Sequence, residues 1–242
     1  MSTYRPARAL RIAVILLCGA LAGTIANPAA AAETVSAIAR DARLYDKFFA
    51  ENRSAKPETN HPAYANKAGK YGKDASWRCK ECHGWDYRGK DGAYAGGSHA
   101  TGIVGITAAA GKDPAAIVAV LRNATHSYTA RQLSDHDAND LALFVSKGQV
   151  DPTKYIDTTT KRAKGDAAKG EVYFNTVCAG CHGVDGKKVK DAPALGSVAD
   201  NAAEMLHKVL NGQPGENMPA LRALDPQISV DIVSYLPQLP KE

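Results

Sequence analysis

Methionine and cysteine are both scarce in this chain of 242 residues, and their positions exclude a good deal. The three methionines are Met1, Met205 and Met218, so residues 33–164 offer no thioether. Of the 5 cysteines, four form the pairs Cys79/Cys82 and Cys178/Cys181, and Cys18 lies in an apolar N-terminal run. Once that run is removed, no thiol is left over to act as a nucleophile or an extra metal ligand. The Lys and Arg residues form no stripe, which excludes nucleic-acid binding. Nor is there a long apolar stretch: Ile12 to Ile25 is short for a membrane span, which takes about 20 residues.

That run belongs to an expected signal peptide over residues 1–32. Arg5, Arg8 and Arg11 open it, and Ala30-Ala31-Ala32 offers small residues for cleavage before Glu33. The alternative is an uncleaved membrane anchor. Cys18 follows Leu17 rather than a small residue, which argues against lipid attachment there. Without residues 1–32 the net charge drops from +5 to +2. Residues 33–164 hold 20 Lys/Arg against 15 Asp/Glu, and residues 165–242 hold 7 against 10. This asymmetry could orient the molecule on a partner, or simply reflect a solvated surface.

The cysteine pairs sit in two copies of one pentapeptide, Cys79-Lys80-Glu81-Cys82-His83 and Cys178-Ala179-Gly180-Cys181-His182, starting 99 residues apart. Cys-x-x-Cys-His is the attachment pattern of c-type haem: two thiols add to the porphyrin vinyl groups and the adjacent His reaches the iron. A zinc site built from the four cysteines would have no use for the histidines. A thioredoxin-like pair lacks its βαβ surroundings, and structural disulfides would suit only the exported location. Two covalently bound haems c are expected, held by Cys79, Cys82, Cys178 and Cys181, with His83 and His182 as iron ligands.

The second motif lies in a compact unit. Gly170-Glu171-Val172-Tyr173-Phe174 leads into Cys178. After His182 come a turn, Pro193, a helical stretch over Ala202–Leu210, the loop Gly215–Pro219, and a last helix near Pro226–Leu236 with Ile228, Ile232, Val233 and Leu236 on one face. In order and spacing this unit resembles a class I cytochrome c domain, with Gly170, Tyr173 or Phe174, His182, Pro193, Met218, Pro219 and Tyr235 in the family's places. The resemblance implies a small all-α fold wrapped around haem, with Met218 as sixth ligand. Met205 is read as a core residue.

The first unit follows the same plan with departures. Val35–Asn52 reads as an amphipathic helix, residues 53–76 as a polar, Lys-rich insertion, and Gly84–Gly97 as an irregular loop. Thr107–Asn123 reads as a helix, and Leu133–Val145 as another with Ser134 as its cap. With no methionine available, aligning Leu133 with Leu224 puts Ser127 at the Met218 position and His126 one residue away, so His126 is the preferred sixth ligand. His99, His61 and His136 compete with it, and an open iron face is the remaining alternative. Trp77, Trp85, Tyr87 and Tyr94 surround the first motif, as haem packing or as a tuned pocket.

The expected organisation is therefore all-α: a signal peptide at 1–32, a cytochrome c-like domain with an insertion at 33–149, a linker at 150–164 and a class I cytochrome c domain at 165–242. The function that follows is single-electron transfer between redox partner proteins in the periplasm, touching a membrane only through a partner or an uncleaved leader. A haem enzyme, or the haem subunit of a periplasmic sulfur-compound dehydrogenase, is the competing reading, so catalysis stays open.

Overall fold

The computed structural model describes Met1 and residues 28–64 and 71–242, with backbone alone at 28–34. The leader features Arg5, Arg8, Arg11, Cys18 and the whole apolar run Ile12 to Ile25 lie outside the described residues. Helix α1, Pro28–Glu51, includes the Ala30–Ala32 segment in its helical backbone and kinks at Lys47. No described helix is long and apolar enough to cross a membrane.

Short helices follow: α2 (Cys79–His83), α3 (Pro114–Arg122), α4 (Asp135–Leu143), α5 (Ala167–Tyr173), α6 (Ala179–His182), α7 (Leu195–Val198), α8 (Ala202–Asn211) and α9 (Pro226–Tyr235). Among the described residues the only β pairings are the isolated bridges Gly89–Val104 and Ile156–Ala163, so the fold is all-α.

Side-chain caps set most helix starts. Asp113 and Asp225 accept from Ala115 N–H and Gln227 N–H, each just before a proline at the first helical position. Ser134 and Asp137 form a capping box on α4. Asp166 accepts from both Ala168 and Lys169 N–H at the start of α5. The α3 cap corrects one expectation. The helix foreseen over Thr107–Asn123 is a single 3₁₀ turn at Thr107–Ala109, a break at Gly111 (φ +76°), and a helix that begins only at Pro114. Gly111 reverses the chain in the left-handed region, and Asp113 restarts it.

Buried apolar residues fall into two clusters. One gathers Leu44, Tyr45, Phe48, Leu121, Leu133, Leu141 and Phe144 from α1, α3, α4 and the segments between them. The other gathers Phe174, Met205, Leu206, Val209, Val230, Ile232 and Val233 from α5, α8, α9 and the turn after α5. In the second, α5 crosses α9 so closely that a Cβ on Gly170 would drive into the Asp231 carbonyl oxygen. Only glycine lets two backbones approach to that degree. Within residues 150–164, expected as a linker, Ile156 and Ala163 bridge, and Tyr155 and Ile156 pack on the second cluster.

The clusters are joined where α1 packs on α8. His207 of α8 is buried at this seam. Its Nε2–H donates to the Ala42 carbonyl at 3.0 Å, and its Nδ1 accepts from Tyr87 OH at 3.1 Å. Trp85, Tyr45, Tyr87 and Phe144 surround the ring. Beside it, Asp46 of α1 pairs with Arg78 and with Lys208 Nζ at 2.8 Å. Burial opposes the Asp46 charge, but the two cations outweigh it and hold the carboxyl well below the usual range.

Candidate haem-binding site

In the first motif, one turn of helix carries Cys79, Cys82 and His83 on α2. Neither cysteine is in a disulfide. Burial pushes Cys79 up to about 11 and Cys82 up to about 12, so they remain neutral. His83 Nδ1 lies 2.8 Å from the Val104 carbonyl, which accepts its proton and leaves Nε2 as the free electron pair. Burial lowers His83 to about 4, against the opposing pull of that carbonyl, so the ring stays neutral at ordinary pH. Sequence reading missed Val104, because an isolated backbone acceptor has no residue signature.

Across from His83 stands His126. The two rings are nearly parallel, at 24°, with centroids 6.2 Å apart. Two imidazoles on opposite sides of one metal, each nitrogen about 2 Å from it, place their ring centres about 6 Å apart. Two attachment thiols, a neutral imidazole with its outer N–H satisfied, and a second imidazole at this separation make a donor set that fits haem.

His126 sits in a tight loop. Its N–H and that of Thr125 donate to Asn123 Oδ1, at 3.1 and 2.9 Å, and Ser127 follows in the left-handed region at φ +54°. Burial lowers the His126 pKa, offset in part by the nearby Val120 carbonyl, although Nδ1 makes no hydrogen bond of ordinary geometry.

The other histidines are engaged elsewhere. His61 is buried in the insertion. Its Nδ1 accepts from Ala63 N–H, and its Nε2–H donates to the His126 carbonyl at 2.8 Å, so it braces the His126 loop from behind. Trp77 and Tyr128 back it: Tyr128 OH donates to the Trp77 carbonyl, and Trp77 Nε1–H to that of Thr59. His99 lies between Tyr71 and Tyr94, stacked at 4.1 and 4.6 Å, with Nδ1 on Glu81 at 2.6 Å. His136 is exposed beside Asp140. Tyr94 is buried as packing; Trp85 and Tyr87 serve the seam at His207 instead, which local sequence could not show.

In the second motif, Cys178 directly precedes α6 and His182 ends it. His182 is half-buried, which lowers its pKa, and Cys181 is exposed. Met205 is buried in the core. Met218 is half-buried on the loop between α8 and α9. That loop is tied down at both ends. Leu221 and Arg222 N–H donate to the Val209 and Leu210 carbonyls at 3.1 and 3.0 Å. Arg222 Nε–H donates to Asn211 Oδ1 at 2.7 Å. At Gly212, φ +86°, a Cβ would meet the Met218 carbonyl at 2.6 Å.

Residues 165–236 match the family model described as Cytochrome C oxidase, cbb3-type, subunit III. This segment is a c-type cytochrome domain. It binds haem c covalently, which makes the chain an electron-transfer haem protein. Cys178, Cys181, His182 and Met218 all fall inside the matched span. No curated protein matches the chain.

Proposed function

We propose that the chain is an exported dihaem cytochrome c, made of two cytochrome c-like domains, that passes single electrons between redox partner proteins in the periplasm. The observation that carries the reading beyond the C-terminal domain is the facing pair His83 and His126 behind a Cys-x-x-Cys-His helix. Haem c supplies reversible one-electron exchange at its iron. The chain's own residues tune and shield that exchange. Val104 fixes the His83 tautomer and raises the ring's donor strength, as outer-shell acceptors do for ligating histidines. His61 and Asn123 hold the His126 loop, which closes the face a substrate would need and favours a carrier over an enzyme. In the cytochrome domain, His182 and Met218 are the assigned axial pair. Imidazole with thioether gives a higher potential than two imidazoles, so an electron entering the N-terminal site runs downhill to the C-terminal one.

Intact mass tests the count directly. The mature chain should carry two haem masses, and Cys79→Ala with Cys82→Ala should leave one. A native chain with a single haem, or zinc on the four cysteines, would overturn the reading.

A further inference from the structure

The Met218 loop is not held by its own domain alone. Arg43 and Glu51, eight residues apart on α1 of the N-terminal region, form a two-pronged pair: Nε and Nη2 of Arg43 donate to Glu51 Oε2 and Oε1 at 2.9 and 2.8 Å. The Glu51 side chain is 9% exposed. Each member of the pair then reaches the other half of the chain. Arg43 Nη1–H donates to the Asn211 carbonyl at 2.8 Å, and Glu51 Oε2 accepts from Gly215 N–H at 3.1 Å. These contacts flank the stretch from Asn211 to Gly215 that leads into Met218. Glycine is required at both turns of that stretch. Gly212 and Gly215 have φ of +86° and +76°, and a Cβ on Gly215 would meet the Ala50 carbonyl of α1 at 2.8 Å. Asn211 is itself buried and carries the internal strut to Arg222, so the same residue is gripped from α1 and from within the domain. Farther along the loop the packing opens: a cavity of about 730 Å³, lined by Arg40, Arg43, Ala220, Arg222 and Ala223, separates α1 from the segment after Met218. The grip of the N-terminal region on this loop is therefore concentrated at Arg43 and Glu51.

We propose that Arg43 and Glu51 are positioning residues for the sulfur ligand of the other domain, so that docking of α1 sets how tightly Met218 is held at its haem. The proposal rests on Met218 being that ligand. An unpaired charge buried at this point would also be costly, so the pair acts as a unit. Its mechanical consequence is a clamp: releasing either member frees the loop while His83 and His126, held by Val104, Asn123 and His61 rather than by the pair, keep their places.

The test uses the haem-loaded full chain and two readouts. Amide exchange over residues 212–218 reports the loop itself. Displacement of the sulfur ligand by added imidazole, followed by loss of the near-infrared sulfur–iron band, reports the ligand. Glu51→Ala should speed exchange over 212–218 by about tenfold and lower the half-displacing imidazole concentration by about tenfold, the effect of one lost hydrogen bond of ordinary net strength. Glu51→Gln, which keeps an acceptor for Gly215 N–H but not the charge that pairs Arg43, should recover only part of both. Arg43→Gln breaks the contact to Asn211 and serves if Glu51→Ala does not accumulate. Unchanged exchange over 212–218 in both Glu51→Ala and Arg43→Gln overturns the clamp. Faster exchange with unmoved imidazole displacement overturns its link to the iron. A near-infrared band that survives Met218→Ala overturns the ligand assignment itself, and does so independently of the exchange result.

Discussion

The two motif-bearing halves of the molecule hold their distal loops in different ways. In the N-terminal half the loop carrying His126 is braced locally: Asn123 folds it, and His61, Trp77 and Tyr128 back it from the insertion and the adjoining chain. In the C-terminal half the loop carrying Met218 is short and glycine-bent, and part of its support comes from α1, more than 160 residues earlier in sequence. The half with the extra segment is self-sufficient; the minimal half borrows. The difference shows what an insertion can do in a small domain, where there is too little core to fix every loop from inside.

The sharpest way to break the comparison is to remove each distal ligand in turn. His126→Ala should turn one haem high-spin and open it to carbon monoxide, with the near-infrared band untouched. Met218→Ala should abolish that band and lower one potential by on the order of 0.1 V, a fraction of the roughly 0.8 V that axial ligands span. A His126→Ala protein that stays fully low-spin, with His61→Ala or His99→Ala opening the haem instead, would transfer the ligand role within the N-terminal half.

Next in size is a substitution that should injure one half only. Gly170→Ala places a methyl group against the Asp231 carbonyl at the α5–α9 crossing, and should destabilise the C-terminal domain by about 3 kcal/mol in chemical denaturation. The N-terminal core, which does not include that crossing, should unfold at its usual denaturant concentration. A single, unshifted transition would show that the crossing relaxes.

The seam between the halves gives a smaller, pH-dependent effect. Burial lowers His207 to about 4 from an ordinary value of 6.5, with Lys208 adding to the shift and Asp46 and the Ala42 carbonyl opposing it. The unfolded chain takes up the proton first, so the stability tied to this residue is present above pH 6.5 and lost as the pH falls toward 4. The loss should approach about 3 kcal/mol at the acid end, and His207→Gln should flatten that part of the profile. A profile of unchanged slope in the variant would place the acid sensitivity elsewhere.

Much of the site is legible in local sequence because its chemistry is local. Cys-x-x-Cys-His needs one helical turn, and Ser134 announces the helix it caps within three residues. The helix foreseen over Thr107–Asn123 ran too far upstream because its alanines favour helix, whereas Gly111 and Asp113 decide the break. What local sequence hides are the long-range polar contacts. His207 looks like any other helical histidine until Ala42 and Tyr87 close on it. His61 enters as a ligand candidate, and the structure gives it a hydrogen bond to His126 instead. Val104 contributes only a carbonyl, which every residue has.

The seam also bears on timing. A chain is made from its N-terminus, and domains generally fold as units in that order. The partners of α1 within its own core lie no farther along than Gly148, so that core can close while later residues are still being made. The partners of Ala42, Arg43, Asp46 and Glu51 across the seam are residues 207 to 215, which appear only well after that core is complete. Until then one flank of α1, bearing the buried Asp46 and the Arg43–Glu51 pair, waits without its counterpart. The charges that fasten the finished molecule are thus what keeps that waiting flank wet until α8 docks against it.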